Sequence, residues 1–137
     1  MGIAMSVKSQ IFTELELFLL KVSGKISDQT AYEYQDAIPN MPGYKPTLNT
    51  LIDAREVTEN LLSPSSIIRL SANTPFDATV KRAFVVNSDN ESMLATLYGT
   101  TTSDQDKYLV TNKIDTACRW LGFNYTDISQ SDVYLDD

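Results

Sequence analysis

Histidine is absent from the 137 residues, cysteine occurs once, and the five glycines stand singly. Without histidine there is no His-based triad, no His metal site and no imidazole acid–base chemistry. The lone Cys118 excludes an internal disulfide and an all-cysteine zinc site. No G-x-G occurs, so the phosphate-loop and dinucleotide fingerprints are missing. Basic residues are few: 11 Lys and Arg stand against 18 Asp and Glu, a net charge of −7. Nucleic acid and anionic membrane are bound by basic patches, so neither is expected as a partner. The longest apolar stretch, Leu15 to Val22, is broken by Glu16 and Lys21 and is far too short to span a membrane. Met1 to Ser6 carries no basic n-region, and with one free thiol a cytoplasmic, reducing compartment is expected. The sequons Asn90-Glu91-Ser92 and Asn124-Tyr125-Thr126 then read as chance matches.

What is present suits one globular domain. The length is enough to close a core, and 42% of the residues are hydrophobic. Val7 to Thr13 and Leu15 to Val22 read as an antiparallel strand pair ended by Ser23-Gly24. Ser27-Asp28 opens a helix with Ala31, Tyr34, Ala37 and Ile38 on one face, and Pro39 stops it. A loop holding three prolines and Gly43 follows. Leu48 to Asp53 is the third strand. Ser63-Pro64 starts a helix, the serine capping and the proline sitting where its missing N–H costs nothing. Ala83-Phe84-Val85-Val86 reads as a strand buried on both faces. Ser88 and Glu91 form a capping box for a helix over 89–98 that Gly99 ends. Tyr108-Leu109-Val110 is the last strand. Asn112 caps a final helix with Ile114, Ala117, Cys118 and Leu121 at i, i+3, i+4 and i+7, and Gly122 closes it. The order is β-β-α-β-α-β-α-β-α. It predicts an α/β domain with a mixed central sheet, a core over about 6–122 and an acidic tail over 123–137. Leu51, Ile52, Phe84, Val85, Ile114, Cys118 and Leu121 are the expected core.

This order, and four stretches of sequence, resemble the STAS-like family, named for sulfate transporters and anti-sigma-factor antagonists. The stretches are Leu20-Lys21-Val22-Ser23-Gly24-Lys25-Ile26-Ser27, Thr50-Leu51-Ile52-Asp53-Ala54-Arg55-Glu56-Val57-Thr58, Arg82-Ala83-Phe84-Val85-Val86 and Asp115-Thr116-Ala117-Cys118-Arg119-Trp120-Leu121-Gly122. They span roughly residues 15 to 122. The chain is similar to small bacterial members of mostly unassigned function, and the resemblance implies a single STAS-like domain that regulates or binds another protein. Phosphorylatable antagonists carry an Asp-Ser-Ser/Thr-Gly turn after the middle strand. Here that region reads Val57-Thr58-Glu59-Asn60-Leu61-Leu62-Ser63-Pro64-Ser65-Ser66 and has no such turn. Phosphoregulation is therefore not carried over.

The chemistry-bearing residues each admit two readings. Ser63, Ser65 and Ser66 at a helix start could hold an anion or a phosphate, or could simply cap. Asp53, at a strand's C-terminal end, stands where α/β proteins place functional groups, or pairs with Arg55 and nearby N–H groups. Cys118 falls on an apolar helix face as an inert thiol. Trp120 lies off that stripe and is read as cover for the sheet edge. Asp104-Gln105-Asp106 opens like a calcium loop but lacks the glycine and terminal glutamate. No catalytic residue, metal or cofactor is assigned, and the chain is read as a non-enzyme. Its expected working surface is the end of the sheet where strand C-termini meet helix N-termini. Arg55, Thr58, Asn60, Ser63, Ser65, Ser88 and Asn90 would converge there on a protein partner or an anion. Homodimerisation is left open. The alternative is a small hydrophobic-ligand or lipid-binding protein, which would need an apolar pocket between sheet and helices.

Overall fold

The computed structural model describes residues 5–87 and 105–135. Strand β1 (Ser6–Phe12) runs antiparallel to β2 (Leu17–Ile26) across a 3-10 turn at Thr13–Leu15, with Phe12 opposite Leu17. Strands β3 (Asn49–Asn60), β4 (Arg82–Val85) and β5 (Tyr108–Thr111) add in parallel, giving the sheet order β1-β2-β3-β4-β5. Helices α1 (Asp28–Ala37) and α2 (Pro64–Ala72) connect β2 to β3 and β3 to β4, and α3 (Ile114–Leu121) follows β5. A short α4 (Asp132–Leu135) ends the described chain. The mixed α/β sheet expected from sequence is therefore present. The helix expected over 89–98, its Ser88–Glu91 capping box and Asp104 lie outside the described residues.

Successive right-handed crossovers in one direction put their helices on one face of a sheet. Side chains alternate along a strand, so each central strand has two distinct faces. Leu17, Leu19, Leu51, Ala83 and Val85 point to one face, where α3 lays down Ile114, Ala117 and Cys118. Phe18, Leu20, Ile52, Ala54 and Phe84 point to the other, beneath α1 and α2. The first face is closed completely: Leu17, Leu19, Leu51, Ala83 and Val85 have no exposed surface.

Local chemistry explains most element ends. Ser63 Oγ accepts from the Ser66 N–H at 3.2 Å, and Pro64 takes the first helical position, as the sequence predicts. Gly122 adopts a left-handed φ of 100°, and the Gly122 and Phe123 N–H groups donate to the Arg119 and Cys118 carbonyls. At the other end of α3 the cap is Lys113 rather than Asn112. No side-chain cap forms there, and the Lys113 N–H is taken by Thr111 Oγ1 at 3.2 Å.

Four further expectations change. β2 does not stop at Ser23-Gly24, because Gly24 accepts a φ of 79° and the strand continues to Ile26. Its partner β3 runs on to Asn60, so Arg55, Thr58 and Asn60 are strand residues and not loop. The register slips twice, Lys21 facing Asp53 while Ser23 faces Glu56, and Gly24 facing Val57 while Lys25 faces Glu59. Each slip puts an extra residue on the β3 side, the mark of a bulge, which re-aims side chains. Ile52, Phe84 and Leu121 are half-buried rather than core, whereas Leu51, Val85, Ile114 and Cys118 are buried as expected. The core also continues beyond residue 122. Phe123, Ile128 and Val133 bury themselves with Leu19 and Leu51, so the described part of the acidic tail is built into the fold.

Leu51→Ala is expected to cost about 3–5 kcal/mol, the range for a leucine leaving a filled site. Ile52→Ala, one residue on and facing the less filled side, should cost distinctly less. Urea unfolding of both variants checks the pair; equal losses would contradict the difference between the faces.

Candidate functional site

Asp53 does not end its strand as expected but lies inside β3, where it forms a clamp with Arg55. Asp53 is 1% exposed. Arg55 Nε donates to its Oδ1 at 2.9 Å and Nη2 to Oδ2 at 2.8 Å. The Arg55 backbone N–H donates to Oδ1 at 3.2 Å, and the Tyr134 hydroxyl donates to Oδ2 at 2.9 Å across 81 residues of sequence. The first register slip falls just after Asp53, where Lys21 faces Asp53 and Ser23 faces Glu56, so Arg55 stands at the bulge beside its partner. Burial pushes the Asp53 carboxyl up, but the Arg55 guanidinium and the Tyr134 hydroxyl outweigh it, and the group ends below the ordinary carboxylate value. Burial and the neighbouring Asp53 charge raise the Tyr134 hydroxyl. Lys21 extends the cluster, pairing with Glu56 at 2.9 Å and lying 5.6 Å from the Tyr134 ring centre. Tyr125 meets Tyr134 edge-on at 5.5 Å. Asp53 is thus an ionised anchor with its lone pairs occupied, and it holds α4 on the sheet.

The other residues named for this end are satisfied locally or open to water. Asn60 Oδ1 accepts the Leu62 N–H at 3.0 Å. Ser63 Oγ sits 3.1 Å from Ser65 Oγ and donates to Ser66 Oγ at 2.9 Å. Thr58 and Ser65 are exposed. Asn87 donates to the Arg55 and Val57 carbonyls, so β3 and the end of β4 do meet there. Ser88 and Asn90 lie outside the described residues. Cys118 is buried, and burial pushes its thiol up to about 12, which keeps it protonated and inert. Trp120 is half-buried and packs against the core under α3, and Lys81 Nζ lies 5.2 Å from its ring centre and donates to the Trp120 carbonyl at 3.3 Å.

The opposite face holds a cavity of about 180 Å³ between the sheet and helices α1 and α2. Its floor is the second set of alternating side chains, with Leu20, Ile52 and Phe84 at the centre. Ala31 and Tyr34 of α1 and Ile67 and Leu70 of α2 form its roof. The roof is held as one piece: the Tyr32 hydroxyl donates to Ser66 Oγ at 2.8 Å and Gln35 Nε2 to the Leu70 carbonyl at 2.7 Å. Phe18 and Phe76 close the end where the strands begin, their rings 5.5 Å apart. Gln35, Thr50, Asn60, Thr74 and Arg82 are polar residues of the lining, and of these Thr50 and Arg82 are buried and neighbours across β3 and β4.

A crystal structure of an uncharacterized protein of the DUF3478 family from Shewanella loihica PV-4, with a SpoIIAA-like fold, superimposes on this chain with a TM-score of 0.57. The match covers 88% of this chain and 95% of that one at 14% identity. The fold is SpoIIAA-like. This confirms the STAS-like architecture anticipated from sequence, and at that identity it speaks for the fold alone. No family model matches the sequence, and no curated protein does. Within the SpoIIAA-like frame, sequence reasoning named the Asp53–Arg55 pair, and it left open the pocket between sheet and helices that its alternative reading requires. One signal was available: Arg82, Phe84 and Val86 share a face at period two, which places a cation on the same side as the apolar residues.

Asp53→Asn is expected to cost about 3 kcal/mol, the low end for breaking a buried pair, because Arg55 retains access to water. The carboxylate's contribution is full above its unfolded value, about 3.9, and is lost as pH falls through the lower folded value. The stability gap between wild type and variant in urea should stay level from about pH 5 to 7 and close below about pH 3.9. A gap unchanged at acid pH would show that Asp53 is not anchored as an ion.

Proposed function

We propose that this SpoIIAA-like domain is a non-enzymatic binding module whose ligand is a small apolar molecule held between the sheet and helices α1 and α2. The observation that supports it is the cavity itself: about 180 Å³, lined chiefly by aliphatic and aromatic side chains and set beside a fully packed opposite face. An apolar cavity of about 150 Å³ stays dry and takes up benzene, so this one has room for a group somewhat larger. Two of the perturbed titratable groups have structural employment, Asp53 as the anchor of α4 and Cys118 as a core thiol. No helix among the described residues is long and apolar enough to cross a membrane. A cytoplasmic binding protein fits that and the acidic composition.

A second reading keeps the regulatory role implied by the STAS-like resemblance, with a protein partner at the Thr58–Ser65 end. Exposed Leu61 and Ile68 beside that end favour it, since large apolar side chains on a surface are contact material. The two readings are compatible, because a ligand under α1 and α2 could set the position of the helices that carry this surface.

Native mass spectrometry of the purified protein with added toluene should show a one-to-one complex. Thermal unfolding should shift upward with toluene concentration, as for any ligand of the folded state. Ala31→Phe, which fills the roof from α1, should fold and lose both responses. If wild type shows neither complex nor shift, the cavity is not a binding site.

A further inference from the structure

We propose that the natural occupant is a small apolar monocarboxylic acid, its carboxylate seated against Arg82 and Thr50; this rests on the cavity reading above and specifies the ligand's head. Arg82 is 3% exposed and Thr50 4% exposed, and both belong to the cavity wall. They face each other across adjacent strands, with the Thr50 N–H donating to the Lys81 carbonyl at 2.9 Å. A guanidinium is always charged and offers five donors in a planar fork. In Arg82 Nη2 donates to the Phe76 carbonyl at 3.1 Å and the Asp77 carbonyl at 2.7 Å, while Nε has no partner. Thr50 Oγ1 has none either. Lys21 pairs with Glu56, Lys25 with Glu59 and Arg55 with Asp53, whereas Arg82 joins no ion pair among the described residues.

A buried charge left without a counter-charge is costly, and buried hydrogen-bonding groups are normally paired. Two carbonyls orient the Arg82 fork without neutralising it. A carboxylate accepts through both oxygens, so one head group can meet a guanidinium and a hydroxyl together and supply the missing charge. The contrast with Arg55 is direct: that arginine has its carboxylate in Asp53, on the other face of the same sheet. The apolar volume beyond Arg82 then sets the size of the acid's body at about that of benzene or a short alkyl chain.

Calorimetric titration of the full chain with sodium octanoate and with 1-octanol tests this, the probes sharing a chain length and differing in the head. Wild type should bind octanoate more tightly than octanol by about tenfold or more, the scale of a charge-assisted hydrogen bond. Arg82→Met should bring octanoate down to the level of octanol and leave octanol within about twofold, because only the head loses its partner. Thr50→Val should lower octanoate affinity several-fold by the same comparison. Octanol binding as well as octanoate in wild type, or an octanoate preference that survives Arg82→Met, would overturn the proposal and leave the cavity reading standing. Failure of both probes would overturn both. The wild-type comparison decides even if Arg82→Met does not fold.

Discussion

Every part of this molecule is arranged around a central strand, β3, that is covered on both faces and must satisfy two different environments by alternation. Leu51 and Asp53 look toward α3 and the C-terminal segment; Thr50, Ile52 and Ala54 look toward α1 and α2. Period-two alternation forbids exchange between the two sets without a register slip. The sheet therefore separates a filled face, which supplies cohesion, from an incompletely filled one, which supplies space. A cavity can be tolerated there because the opposite face carries the larger share of close-packed side chains.

The bulges of β3 connect this arrangement to the C-terminus. The first slip falls at Arg55, whose guanidinium lies on the Asp53 carboxylate, and the same carboxylate receives Tyr134. The last segment then reaches the core through Phe123, Ile128 and Val133. Acidic composition made this stretch look like a solvated tail, yet its apolar residues recur at a spacing of five and bring one side chain inward at each irregular turn. Neither helical nor strand periodicity describes that pattern, which is why it escaped the sequence reading.

What the sequence made legible was local. Pro64 after Ser63, Gly122 after Leu121 and the alternation around Leu51 and Val85 each act within a few residues, and the elements they predict are present. The Asp53–Arg55 partnership was also legible, since the residues are two apart and of opposite sign. The extension of β3 to Asn60 was not, because it depends on Gly24 accepting a left-handed φ so that β2 can supply a pairing edge. The half-burial of Phe84 was hidden for a similar reason. A continuous apolar run reads the same whether its second face meets packed side chains or a space, and only the placement of α1 and α2 decides. Arg82 at the head of that run was the one residue whose chemistry disagreed with its surroundings.

The two faces of the sheet differ in kind, one sealed and one able to receive a guest. Methyl-resolved NMR during a toluene titration measures this directly. Leu20, Ile52, Ile67 and Leu70 should shift progressively and saturate together, while Leu17, Leu19, Leu51 and Val85 stay in place. Equal movement of both sets, or none in the first set at saturating toluene, would contradict it.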